Sequence, residues 1–186
     1  PFNPSGHGAV DLQYRFQWTA PLATSPHDPK VLYHGSNVLF RTRDRGVTWE
    51  KISPDLTRND KSKQQWSGGP ITGDNTGVEV YDTIFAIAES PLAAGTIWTG
   101  SDDGLVSITR DNGGTWNTVT PPGLPAWAKV ESIAPSPHAA GGAWVAADAH
   151  WSDDLRPYLF HTSDFGKSWA RMGEGLPDDS PVLTVR

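Results

Sequence analysis

The chain has 186 residues, with 15 basic against 21 acidic side chains for a formal net charge of −6, and no cysteine. The missing cysteines exclude disulfide scaffolds, cysteine-ligated zinc and iron–sulfur sites and thiol nucleophiles, and the acidic balance argues against a nucleic-acid surface, which shows a basic stripe. No apolar run approaches the roughly 18 residues of a membrane-spanning helix, whereas 19 glycines, 16 prolines and nine tryptophans point to short aromatic-rich strands joined by many turns.

Taken in chain order, four predicted strands recur three times. Strand A covers residues 14–24 and turns at Ser25-Pro26; strand B follows at 31–35 and strand C at 38–42; an octet at 42–49 leads into strand D at 48–52. A long connection, 53–79, separates this unit from the next. There the same order returns as A at 80–89 with Ser90-Pro91, B at 96–100, C at 105–109, an octet at 109–116 and D at 115–119. The third unit runs as A at 129–134 with Ser136-Pro137, B at 143–147, C at 158–162, an octet at 162–169 and D at 168–172, with a second insertion at 148–157. Residues 182–185 read as one further strand A. No stretch shows sustained helical periodicity.

The octets carry the repeat. Each reads Thr-x-Asp-x-Gly-x-(Thr/Ser)-Trp, through Asp44, Gly46, Thr48 and Trp49, then Asp111, Gly113, Thr115 and Trp116, then Asp164, Gly166, Ser168 and Trp169. Asp and Thr/Ser side chains close turns by bonding nearby backbone, and glycine supplies the positive φ of a tight hairpin. The octets are therefore structural hairpins. Seven residues after each Ser-Pro proline stands an aromatic (Tyr33, Trp98, Trp144), and three after each octet tryptophan an apolar residue (Ile52, Val119, Met172).

Three tandem octets on four-stranded units resemble the Asp-box (BNR-repeat) β-propellers, and in particular bacterial propeller proteins that look like the sortilin N-terminal domain and are described as glycosyl-hydrolase-like. The expected fold is all-β: a partial propeller of three four-stranded blades, at 14–52, 80–119 and 129–172, plus the start of a fourth at 181–186. Propellers close with about 4–8 blades, so the chain is expected to be a fragment of one propeller whose partners include the remaining blades. The resemblance implies a secreted or periplasmic setting and no cofactor. Asp-boxes mark a fold rather than an activity. The arginine triad and Tyr/Glu pair of a sialidase, or the two aspartates of a xyloglucanase, find no residue-by-residue match, so no catalytic residue is carried over.

In an up-and-down blade the B–C and D–A connections emerge on one face, opposite the octets. Both insertions therefore share a face, and loops on a rigid scaffold carry function. Trp49, Trp116, Trp169, Trp98, Trp144 and Trp18 are expected to be structural. Trp66, Trp127 and Trp151 fall in connections of the insertion face and are, with His150 and Arg156, the candidate ligand-binding residues for carbohydrate or peptide. They could equally pin the loops. Further polar residues there are Asp74, Asn75, Glu79, Tyr81 and Asp148. Glycoside hydrolysis needs two carboxylates about 5–9.5 Å apart, which makes Asp82, Asp102, Asp103, Asp153 and Asp154 weak catalytic candidates, although Ser101–Gly104 also reads as a plain turn. The six histidines lack zinc-ligand spacing and no EF-hand pattern occurs, so no metal is expected. Two functions stay open: a non-catalytic binding or assembly propeller, and part of a glycoside hydrolase.

Overall fold

The computed structural model describes residues 8–68, 70, 71, 73 and 78–186. Among these, twelve strands form three four-stranded antiparallel sheets. Sheet 1 holds β1 (Leu22–Thr24), β2 (Leu32–Gly35), β3 (Leu39–Thr42) and β4 (Glu50–Lys51). Sheet 2 holds β5 (Ile84–Glu89), β6 (Ile97–Ser101), β7 (Val106–Thr109) and β8 (Asn117–Thr118). Sheet 3 holds β9 (Lys129–Pro135), β10 (Ala143–Ala149), β11 (Asp154–Thr162) and β12 (Ala170–Met172). Within each sheet the strands lie in chain order, which is the meander of a propeller blade. The fold is a partial β-propeller. Helical structure among the described residues amounts to single 3-10 turns at Ala9–Asp11, Lys61–Lys63 and His150–Ser152.

The sheets stack face to face, sheet 1 on β5 and sheet 2 on β9. Side chains of a strand alternate between faces, so β6 serves two cores. Ile97 joins Val31, Tyr33, Leu39, Ile52 and Ile84 between sheets 1 and 2, while Trp98 joins Val106, Ile108, Val130 and Val145 between sheets 2 and 3. Gly100 is needed for that second contact. A Cβ there would lie 2.2 Å from Val130 Cγ1, so any side chain would force β9 away.

The three octets fold alike. Thr42 Oγ1 donates to Asp44 Oδ1 (2.7 Å) and accepts the Gly46 N–H (2.9 Å); Asp44 accepts the Thr48 N–H (2.8 Å) and Thr48 Oγ1 (2.7 Å). The corresponding bonds recur around Asp111 and around Asp164. The residue before each glycine is also left-handed: Arg45, Asn112 and Phe165 lie at φ 61, 63 and 63, followed by Gly46, Gly113 and Gly166 at φ 93, 96 and 79.

The octet tryptophans then lock neighbouring sheets. Trp116 Nε1 donates to Ile52 O of sheet 1 (2.9 Å), and Trp169 Nε1 donates to Val119 O of sheet 2 (2.8 Å). Trp169 also meets Trp98 edge-on at 6.2 Å. Among the described residues no sheet precedes that of Trp49. Its Nε1 turns back to Gly46 O (3.2 Å), and its ring is 40% exposed.

Four expectations change. The first strand A shrinks from 14–24 to Leu22–Thr24, because Pro21 has no N–H to donate and biases Ala20 away from regular pairing. Its leading residues instead lie against sheet 1, with Tyr14 and Phe16 packed on Phe40 and Phe16 on His34. Trp18, expected inside, is 70% exposed and bonds Glu79. The 148–157 insertion is largely strand: β10 and β11 extend into it and pair Ala149 with Asp154 around the 3-10 turn. Residues 181–186 form no strand. A blade strand ladders onto the next strand of its own sheet, and no strand among the described residues pairs with this segment, which meets β9 through Val185 and Ser132 Oγ.

Candidate functional site

Sheet packing gathers one pocket on the insertion face. It encloses about 710 Å3 and is lined by Gln17, Thr19, Lys63, Tyr81, Phe85, Asp102, Trp127, Lys129, Trp151 and Ser152. Both insertions and both D–A connections contribute. This volume is that of a small-ligand site, with apolar walls and a few polar groups.

Of the expected binding residues, Trp127 and Trp151 line this pocket. Their rings are not equivalent. Trp127, held at φ 70, stacks on Tyr81 at 5.5 Å, while the Arg58 guanidinium and Lys63 ammonium sit 5.5 and 5.3 Å from its ring centre. Tyr81 OH donates to Trp127 O (3.2 Å), so this ring is fixed from several sides. Trp151 is 80% exposed and touches the His150 ring at 4.6 Å. His150, itself exposed, is tethered to the buried Asp148, which accepts both its N–H and its Nδ1 proton. Trp66 lies away from the pocket lining. Its ring packs over Gly73, where a Cβ would come within 2.3 Å of Cζ2. Arg156 is also elsewhere, on β11, gripping Asp154 through Nε (2.8 Å) and Nη2 (2.6 Å). Asp74 and Asn75 lie outside the described residues.

The acidic candidates separate just as sharply. Arg156, with help from the Tyr158 hydroxyl, holds Asp154 well below the usual carboxylate range. That leaves it a permanent anion and unsuited to donate a proton. Asp153 ends the 3-10 turn at φ 57 in an exposed position. Asp82, Asp102 and Asp103 are buried together, at 0, 2 and 0% exposure. Asp102 accepts the Thr83 N–H (2.8 Å) and Thr83 Oγ1 (2.7 Å); burial nevertheless pushes it up to about 6, with the Asp82 charge adding to the shift. Asp103 accepts the Arg58 N–H (2.6 Å) and the Ser101 hydroxyl, and burial with its carboxylate neighbours pushes it up to about 7. Asp82 Oδ2 accepts from Gln64 (2.6 Å), while its buried Oδ1 meets no N–H or hydroxyl donor among the described residues. Of the three, Asp102 is the one that lines the pocket.

Sequence reading missed Arg15, the residue that anchors this region. It is 2% exposed and reaches Asp82 O (3.0 Å), Asp55 Oδ2 (2.9 Å) and Thr57 Oγ1 (3.1 Å), while its N–H donates to Asn37. The alternation Tyr14-Arg15-Phe16 reads as one outward charge between two inward rings. The ion pair with Asp55, 40 residues away, reverses that, and no local pattern announces it.

No protein-family model matches this chain, and no curated protein matches it. Solved structures do. An ancestral GH74 enzyme superposes with a TM-score of 0.60 and 18% identity, over 92% of this chain and 19% of its own. YCF48 from Cyanidioschyzon merolae does so at 0.51 and 16%, over 87% of this chain and 41% of its own. These likenesses support the β-propeller fold and nothing finer. The chain spans about a fifth of the length of the first and about two fifths of the second.

Proposed function

We propose that this partial propeller is a binding module whose insertion-face pocket takes a carbohydrate chain. The observation that carries this reading is Trp151, a ring 80% exposed at the edge of a pocket otherwise lined by fixed aromatics and by polar groups. A sugar ring offers an apolar face and a rim of hydroxyls. An open indole suits the face, while Gln17, Thr19, Ser152 and the two lysines suit the rim. Trp127 plays a supporting part, because Tyr81 and two cations already occupy its surroundings. The three octets support the Asp-box assignment of the propeller. Calorimetric titration of the protein with oligosaccharides of mixed linkage tests the reading. Trp151→Ala should weaken binding at least tenfold, about 1.4 kcal/mol. Equal affinity in the variant would remove the stacking role.

A second reading, part of a glycoside hydrolase, has one observation in its favour. Asp102 stands on the pocket wall with its carboxyl raised to about 6, which suits a general acid. Against it, Asp102 is the one carboxylate in the lining, and hydrolysis needs two. Release of reducing ends by the wild-type chain, lost in Asp102→Asn, would favour hydrolysis over binding alone.

A further inference from the structure

We propose that Asp148 and His150 are the positioning residues of Trp151: the buried carboxylate fixes the imidazole, and the imidazole backs one face of the indole so that the other is offered to a sugar. The ligand is the one proposed above, on which this rests; the clamp itself lies within the β10–β11 connection.

Asp148 follows the buried run Val145, Ala146 and Ala147 on β10 and is itself fully buried. Burying a carboxylate is costly unless its oxygens find donors. Among the described residues both oxygens go to one neighbour. Oδ1 accepts the His150 N–H (3.0 Å), and Oδ2 accepts the Nδ1 proton. The first bond is enough to close a turn. The second is not needed for the turn, and what it fixes is the ring. β10 is shaped around this point. Its pairing slips against β9 between Ala146 and Ala147, and against β11 between Ala147 and Ala149. Such irregularities re-aim the side chains beside them.

The imidazole and indole centres lie 4.6 Å apart with planes 36° from parallel, closer to an offset stack than to an edge contact. Trp151 and Ser152 line the pocket and His150 does not, so His150 acts on a ligand through the indole. Trp127 is held in the same way, with Tyr81 stacked on it at 5.5 Å and 25°. An unsupported surface indole gives up rotamer freedom when it binds, and a ring already held gives up less. Support of this kind, a ring fixed by a buried hydrogen-bonded group, is what makes a binding side chain preorganised.

A double-mutant cycle on the full chain tests the clamp. His150→Asn keeps an N–H donor near the Nδ1 position and removes the ring, and circular dichroism checks that it stays folded. In calorimetric titration it should weaken oligosaccharide binding roughly three- to tenfold. In a Trp151→Ala background the same substitution should leave affinity unchanged, a result that general loss of structure would not give. Fluorine NMR of protein labelled with fluorotryptophan reads the ring without ligand. The Trp151 resonance, identified by its absence in Trp151→Phe, should shift in His150→Asn and also in Asp148→Asn, where the turn bond survives but the carboxylate facing Nδ1 is gone. Wild-type affinity in His150→Asn, or an equal loss in the Trp151→Ala background, would overturn the proposal. Should no oligosaccharide bind the wild type, the reading of the pocket fails instead, and an unmoved Trp151 resonance in Asp148→Asn would overturn the clamp on its own.

Discussion

The two ends of the same three sheets treat aspartate in opposite ways. At the hairpin end, Asp44 and Asp164 face water and accept bonds from Thr or Ser hydroxyls and backbone N–H groups, which hold both carboxyls down at about 2; Asp111 shifts the same way. At the loop end, Asp102 and Asp103 also accept such bonds, yet rise to about 6 and 7 because burial removes the water that would stabilise their charge. Donor count alone does not set a carboxyl's behaviour. Enclosure does, and it turns the same residue from a turn staple into a group that holds a proton near neutrality.

The comparison assigns cohesion of the stack to the hairpin end and protons to the loop end, where the proposed ligand pocket lies. The largest expected effect lies in the first assignment. Trp169→Ala should cost about 3 kcal/mol in urea unfolding, since it removes ring packing and the bond to Val119 together. Trp49→Ala, whose ring meets no neighbouring sheet among the described residues, should cost below about 1 kcal/mol. Equal costs would dissolve the distinction between docked and free octets.

Close behind come the octet glycines. At Gly113 a Cβ would sit 2.6 Å from Ile52 O, whereas at Gly46 the nearest atom is 3.8 Å away. Both have positive φ, so Gly46→Ala should cost about 1 kcal/mol for the backbone alone and Gly113→Ala about 2–3 kcal/mol. Chemical denaturation of the pair separates backbone strain from inter-sheet crowding.

The third effect is a pH dependence. Asp102 and Asp103 have raised folded-state values, so their contribution is fully present below about 3.8 and is lost as pH rises through about 6 and 7. The hairpin aspartates act in the other direction, losing theirs as pH falls from about 3.8 toward 2. Stability should peak near pH 4–5 and fall toward neutrality. Asp102→Asn should flatten the neutral limb by on the order of 2 kcal/mol. A limb unchanged in that variant would move the effect to Asp103. Smallest of all, Trp151→Ala should change stability by less than about 0.5 kcal/mol while weakening saccharide binding. A large loss of stability would make that ring structural.

The octets were legible because they repeat, and one repeated pattern fixes hairpins, sheet order and the face on which the insertions emerge. The burial of Trp98 and Tyr33 was legible for the same reason. Illegible were features made by contact between distant segments. Trp18 shares the aromatic character of the buried rings but sits where Pro21 has already broken the strand. Trp66 and Trp151 look alike in sequence, yet one is stapled onto Gly73 and the other stands open. Asp102 and Asp103 read as a plain turn, and Gly104 does turn there at φ 87. What encloses them is Arg58, Gln64 and Asp82 arriving from the preceding connection. Burial of a carboxyl is a property of packing between sheets, which local pattern does not record.

The indole-to-carbonyl bond between sheets has a direction, since Trp116 and Trp169 each close on the sheet before their own. Among the described residues sheet 2 is therefore clamped twice, by Trp116 onto Ile52 and by Trp169 onto Val119, while sheets 1 and 3 are each clamped once. In a linear array with nearest-neighbour coupling, opening free energy follows the number of clamps. Amide hydrogens of β6 and β7 should exchange last, and the protection pattern should fall away on both sides, so that the molecule frays from its flanks toward its middle.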